Sequence, residues 1–410
     1  MKFGLFYELQ LPAPHDDGDV TEKFRDALEH VELADALGFD CMWATEHHFL
    51  EDHALSSAPE VWLAAAAART KRIRIGHGVA CVPPGFSHPA KVAERISTLD
   101  QVSGGRVEFG TGESSSRMEL EGFGVNPDTK RAAYLEALEQ ICNMMVMTPY
   151  PGFEGEHFSM PCRNVVPKPA QKPHPPLWIA GKPDLAAQLG MGCLGFNAVG
   201  GRQAKVMVDQ YYETLQKDCV PIGHTVNANM SVLAQMHCDA DGEVARERGA
   251  NLMFFGFTVA KYYLHGEVRP GRSTSWEEFE QARDQLPDMS DSPTSAIGTP
   301  ATIREHLRAL QDAGVDQVLL LHQGGKLDHE ANCRSLELFA KEVMPEFVEN
   351  EDKREAQKAQ RLAPAIEATP RPHHPPQPAP PLRRCARLRA RPRPVGADGT
   401  RCDGDAGDGS

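Results

Sequence analysis

Phe39-Asp40-Cys41-Met42-Trp43-Ala44-Thr45-Glu46-His47-His48-Phe49 is a short apolar run that ends in a cluster of ionisable groups. It follows Leu37-Gly38, the stop of a stretch over 21–37 in which Phe24, Leu28, Val31, Leu33, Ala34 and Leu37 recur at helical spacing. A helix feeding a buried strand is one repeat of a parallel α/β fold, and there the carboxyl ends of the strands form the ligand-binding mouth. Glu-His-His at that end therefore points to a site. On an ordinary loop the same residues would carry no such meaning, so the neighbouring sequence decides.

Upstream, Lys2–Tyr7 reads as a first buried strand, joined by a Pro-, Asp- and His-rich loop over 11–19. Downstream, a helix over 59–69 leads to a third strand over 72–82, and a helix over 88–101 to a fourth strand over 106–110. A helix over 128–147 precedes a proline-rich excursion, 149–176, with a hairpin around 153–158. Strands follow over 177–181, 192–199, 229–238 and 315–322, separated by helices over 183–189 and 202–218 and by a mainly helical excursion from 243 to about 288. Thr299 caps a helix that opens with Pro300, and a last helix covers 330–343. Eight strand–helix alternations predict a (β/α)8 TIM-like barrel with inserted segments, because open doubly wound sheets usually stop at roughly five to seven strands.

This barrel domain is expected over 1–348. Residues 349–360 are charged and extend the last helix, whereas the Pro-, Arg- and Ala-rich sequence beyond 364 buries too little apolar surface to fold. The 349–410 segment is thus expected to be a disordered C-terminal tail. Hydrophobic residues make up 41% of the 410 and charged residues 24%, ordinary for a globular chain. A formal charge of −14 argues against nucleic acid and anionic membrane as partners, both being polyanions. No apolar run spans a bilayer and no leader opens the chain, and the ten cysteines form no CxxC pair. A cytoplasmic protein with reduced thiols is expected.

Neighbouring residues on a strand face opposite ways, so His47 and His48 cannot both line one pocket. A metal site on this pair is not expected; one inward histidine, oriented by Glu46 or a neighbour, suits acid/base chemistry. In the third strand, Gly76 and Gly78 flank His77, as a backbone that bends or meets a flat ligand requires. His77 itself is either a pocket residue or a histidine satisfied by a nearby carbonyl. After the fourth strand, Gly112-Glu113-Ser114-Ser115-Ser116-Arg117 has the small residues, hydroxyls and cation of an anion nest, although Glu113 speaks against a simple phosphate cradle. The alternative is a Ser-rich loop capping the next segment. Gly181-Lys182 places a cation, or a solvated surface lysine, before a helix opening with Pro183. No Walker sequence occurs.

Several stretches together resemble the bacterial-luciferase-like family of flavin-dependent oxidoreductases, in order and at compatible spacing over 1–348. They are Met1-Lys2-Phe3-Gly4, Leu37-Gly38-Phe39-Asp40, Trp43-x-x-Glu46-His47-His48-Phe49, Ile75-Gly76, Val82-Pro83, His88-Pro89 with Glu94, Leu99-Asp100-Gln101-x-Ser103-x-Gly105-Arg106, Phe109-Gly110, Gly298-Thr299-Pro300 and Val343-Met344-Pro345. The resemblance implies an FMN-dependent monooxygenase that takes reduced FMN from a separate flavin reductase. With O2 it would oxidise a small organic substrate of aldehyde, ketone or terpene type. A homodimer is compatible with it.

By position, the resemblance makes His47 the catalytic histidine, with Glu46 beside it, and puts a non-prolyl cis peptide at Gly78-Val79 beneath the ring, next to His77. It places the flavin phosphate at 112–117 and at Gly181-Lys182. Where luciferases carry a reactive cysteine and a phosphate-binding arginine, this chain has Gly112 and Glu113, and their Glu-Ser pair is Gly181-Lys182 here. A phosphate site rebuilt from Ser114, Ser115, Ser116, Arg117 and Lys182 is therefore expected, and light emission is not. Three other readings share the barrel: a deazaflavin-dependent hydride-transfer oxidoreductase, a non-catalytic flavin-binding protein and a metal hydrolase.

Overall fold

The computed structural model describes residues 1–265, 269–283 and 295–369. Eight parallel strands close into a ring: Lys2–Tyr7, Cys41–Ala44, Arg74–His77, Val107–Gly112, Leu177–Ala180, Gly192–Ala198, Met230–Cys238 and Gln317–Leu321, the last pairing with the first. In register, Phe6 lies opposite both Trp43 and Leu321. Helices Asp17–Leu37, Pro59–Arg69, Pro89–Val102, Lys130–Val146, Pro183–Gln188, Gly201–Asp218, Pro300–Asp312 and His329–Glu342 follow the strands in turn. This is the (β/α)8 barrel that the alternation predicts.

The lumen is filled by Phe6, Trp43, Trp178, Leu194, Leu233, Leu319 and Leu321. Trp43 and Trp178 meet edge to face, with ring centroids 5.3 Å apart. That bulk explains a glycine in the third strand. A Cβ on Gly76 would lie 2.4 Å from Trp43 Cε3, and one on Gly4 2.9 Å from the indole's other edge. The tryptophans plug the barrel's middle and separate a cavity at its carboxyl end from one at its amino end, lined by Lys2, Arg74, Glu108 and Gln317.

Several boundaries differ from the sequence reading, each for a local reason. The first helix begins at Asp17, inside the expected loop, because Asp16 accepts from the Gly18 and Asp19 amides while Asp19 answers the Asp16 amide. It ends at Gly38, whose φ of 95° suits only glycine well. The third strand breaks at the cis Gly78–Val79 peptide and resumes as Ala80–Cys81. A short strand, Ala296–Gly298, adds to the end of the seventh strand and was not anticipated. The hairpin forms from Tyr150–Glu154 and Ser159–Arg163. The second excursion holds helices Gly242–Gly249, Met253–Val259 and Ser275–Ala282 and a π-turn, Ala260–His265; residues 284–294 lie outside the described residues.

The expected tail is in part barrel. Its first section forms the helix Glu351–Ala368, with Leu362 buried and Ile366 packed on the core. Lys358 reaches Asp316 at 2.9 Å and Asn229 at 2.7 Å beneath the sheet. The apolar stripe of Leu362 and Ile366 passes through Pro364, where the composition reading places the start of the disordered sequence. The disorder expected further on falls on 370–410, outside the described residues. Every described cysteine is a free thiol, and no described helix is long and apolar enough to cross a membrane.

Gly76→Ala is expected to force the Trp43 indole off its seat and cost about 1–3 kcal/mol of stability. Urea unfolding monitored by tryptophan fluorescence measures that loss.

Candidate active site

The barrel mouth holds a cavity of about 350 Å³, within the range of small-molecule sites. Its floor and walls are Phe6, Val79, Ile179, Phe196 and Phe255, with Gly78, Gly112 and Ala180 keeping the floor low. The second strand delivers His47 there four residues after Trp43, and alternation sends His48 the other way. His48 bonds Glu46 at 3.2 Å and packs on Phe123 outside the mouth.

His47 is held from three sides. Its Nδ1 lies 3.1 Å from Glu119 Oε1, its Nε2 3.6 Å from Glu8 Oε2, and the Tyr263 hydroxyl 3.1 Å from Nδ1. Burial opposes a charge on the ring. The carboxylates of Glu8, Glu119 and Glu46 outweigh it and pull the pKa up to about 9, so the imidazolium donates Nδ1–H to Glu119 at neutral pH.

The two carboxylates around it respond in opposite ways. Burial would raise Glu119, but the His47 and Ser114 bonds and the His48 amide hold it below the ordinary range. Glu8 has fewer donors, Thr45 Oγ1 at 2.7 Å among them, and burial pushes it up. Behind His47, His53 donates Nδ1–H to Thr258 Oγ1 at 2.9 Å, since that hydroxyl spends its own proton on the Phe254 or Phe255 carbonyl.

At the opposite rim, Glu113 Oε1 is 2.5 Å from Arg131 and 3.2 Å from Lys182, with Lys130 3.9 Å away. The other oxygen, Oε2, is buried without a hydrogen-bond partner. Three cations thus converge on one carboxylate that does not exhaust their donors, beside Ser114 and Ser115. A phosphate would meet a net positive rim there.

Of the residues expected in the site, Glu46, His47, Gly78, Val79, Gly112, Glu113, Ser114, Ser115 and Lys182 line this one cavity. Four do not. His77 faces the helix layer, 1% exposed and beside Phe109 and Glu60, because Gly78 takes the inward position. Ser116 is the buried N-cap of a short helix, Arg117–Gly122. Arg117 opens that helix on its outer side, 82% exposed and paired with Glu121 at 2.6 Å. Gly181 turns the chain at φ 59° and gives its amide to Leu194.

Arg131, from the next helix, stands at this rim where Arg117 was expected. Glu8, His53, Glu119, Arg131 and Tyr263 are the additions. Glu8 was within reach, since it lies two past the inward Phe6. Phe255, Val259 and Tyr263, at a spacing of four, form the stripe the helical excursion lays over the mouth.

The family model described as luciferase-like monooxygenase matches residues 1–317. The chain belongs to that family. Luciferase-like relatives include uncharacterized protein y4wF of Sinorhizobium fredii, 36% identical over 180 residues, which are 44% of this chain and 50% of that protein. The oxygenase component of flavin-dependent trigonelline monooxygenase from Acinetobacter baylyi is 24% identical over 368 residues, 87% of this chain and 98% of that one. The F420-dependent glucose-6-phosphate dehydrogenase of Amycolatopsis mediterranei is 27% identical over 330 residues, 79% and 94% of the two chains. The luciferase-like family thus includes both monooxygenases and F420-dependent oxidoreductases.

Because the folded pKa of His47 is raised, its ionic contribution to stability is complete below about pH 6.5 and is lost as pH rises through about 9. The stability gap between the wild type and His47→Gln is expected to shrink by about 2–3 kcal/mol from pH 6.5 to about 9.5. Urea titrations across that range check it; a gap independent of pH would count against the charged His47.

Proposed function

We propose that this luciferase-like chain is the oxygenase of a two-component, FMN-dependent monooxygenase acting on a small apolar substrate. The observation that carries the reading is a charged imidazole at one end of an apolar cavity whose other end is a cationic rim. The cavity fits the cofactor on its own terms: a low floor at Gly78, Gly112 and Ala180 suits a flat ring, and Arg131, Lys182, Ser114 and Ser115 suit a phosphate. Reduced FMN, when bound, supplies the electrons that activate O2 for insertion into the substrate.

The protein's own part is positioning, exclusion of water and one proton. His47 holds that proton at neutral pH on a ring fixed by Glu119 and Tyr263, so it donates a hydrogen bond, or the proton, to negative charge developing at the cavity's edge. Glu46 accepts the Cys81 amide at 2.7 Å and so ties the second strand to the resumed third strand. Glu46 is a positioning residue in this scheme. Phe255, Val259 and Tyr263 close the site against water and present an apolar face, which favours aldehyde-, ketone- or terpene-like substrates. A separate reductase as electron source is supported by the relative named as an oxygenase component.

The F420-dependent relative supports a second reading, hydride transfer with a deazaflavin in the same cavity. Oxygen separates the two. Chemically reduced FMN is mixed anaerobically with the protein and then exposed to 18O2 in the presence of aldehydes, ketones or terpenes. Labelled product is expected, and turnover that persists without oxygen on reduced F420 would favour hydride transfer instead.

His47→Ala is expected to lower oxygenation about 10²–10⁴-fold with folding intact. Arg131→Ala is expected to weaken reduced FMN about tenfold in anaerobic equilibrium dialysis, the loss of one charge-assisted contact. Unchanged binding would remove Arg131 from the phosphate site.

A further inference from the structure

Far from the cavity, the first and last barrel helices meet along one side and bring ligand-type side chains together. Asp26, Glu29 and His30 share one face of Asp17–Leu37, and His329 and Cys333, four apart, share one face of His329–Glu342. Cys333 Sγ lies 3.8 Å from His329 Nε2, and the His30 and His329 rings stack with centroids 4.8 Å apart. One ligand atom from each of His30, His329 and Cys333 falls within 4.8 Å of the other two.

We propose that His30, His329 and Cys333 bind a divalent transition-metal cation, of which Zn2+ is the natural type, and that the ion staples the first helix to the last. The second observation pointing to a ligand is His30 itself. It is 4% exposed, and its ring nitrogens have no well-aligned partner, only the His329 backbone nearby. A buried imidazole left so is costly, and a cation accepting a nitrogen lone pair removes that cost. An ion pair of His329 with Glu29, 3.2 Å away, accounts for His329 but not for the buried imidazole and the thiol gathered against the same ring.

Two imidazoles and a sulfur select a borderline-soft ion over Mg2+ or Ca2+, which take oxygen donors. Tetrahedral Zn2+ holds such ligands at about 2.0–2.3 Å, so its ligand atoms lie roughly 3.3–3.8 Å apart. The Sγ–Nε2 pair already meets that spacing, and small side-chain rotations bring in His30. Cys333 gives its thiol proton to solvent on binding. A carboxylate of Asp26 or Glu29, or water, completes the fourth position, and His329, 29% exposed, lets the ion in. Among the described residues Glu8, His47 and His53 form a rival set. There His47 is already engaged by Glu119 and Tyr263, so the helix pair is the better site.

The test uses the full chain, chelator-treated, under a non-thiol reductant, and titrated with Co2+. One equivalent is expected to bind with a near-ultraviolet thiolate-to-cobalt band and visible d–d bands, to be displaced by Zn2+, and to raise the thermal midpoint by a few degrees. Cys333→Ser should abolish the thiolate band and His329→Ala the binding, whereas His47→Ala should keep both. Cys333 and His329 are only half-buried, so both variants are expected to fold, which circular dichroism checks. Bands that survive Cys333→Ser, bands lost in His47→Ala, or no bands at all would overturn the assignment.

Discussion

One indole sets the vertical plan of this molecule. Trp43 points into the lumen, and a barrel of eight strands has just enough room for it when its neighbours Gly4 and Gly76 carry no side chain. With Trp178 across from it, the middle of the barrel is solid. The cavity that holds His47 therefore lies above the tryptophans, where the strands run out. His47 reaches that end because it stands an even number of residues after Trp43 and so keeps the inward direction. The glycines at 78 and 112 continue the same economy of volume one layer higher, where the space becomes a cavity floor.

The barrel could be read from the sequence because its signals are local and repeated. Apolar strands alternate with amphipathic helices eight times, and several of those helices open on Pro or after Asp, as at Asp16, Pro59, Pro89, Pro183, Pro300 and Asp328. Alternation also separated His47 from His48 correctly. By the same alternation His77, one position before an inward glycine, faces outward. The same counting would have found Glu8, two residues beyond Phe6.

Other parts of the site lay outside any local rule. Whether Arg117 or Arg131 faces the cavity depends on where a six-residue helix, Arg117–Gly122, begins and how it tilts, and sequence spacing carries neither. Glu119 and Tyr263 approach His47 from 72 and 216 residues away. They are brought there by excursions whose orientation the barrel does not dictate. The helix Glu351–Ala368 was misjudged in part because proline and charge dominate its composition, while Leu362 and Ile366 alone provide its packing face.

The completed site is electrically polar along its length. Around His47 stand Glu8, Glu46 and Glu119, an excess of negative charge over one imidazolium; around Glu113 stand Lys130, Arg131 and Lys182, an excess of positive charge over one carboxylate. In a cavity enclosed on several sides, such opposed ends are screened less than they would be on an open surface. A ligand with an anionic tail and a neutral ring can enter in only one favourable direction, tail toward Arg131 and ring toward His47. The chain as a whole carries −14, and this local reversal of sign is what would favour an anion at that end. The same field explains why His47 keeps its proton: the carboxylates that would repel an anionic tail from that end are the ones that hold the imidazole charged. Orientation of the ligand and protonation of the catalytic candidate thus follow from one arrangement of charge.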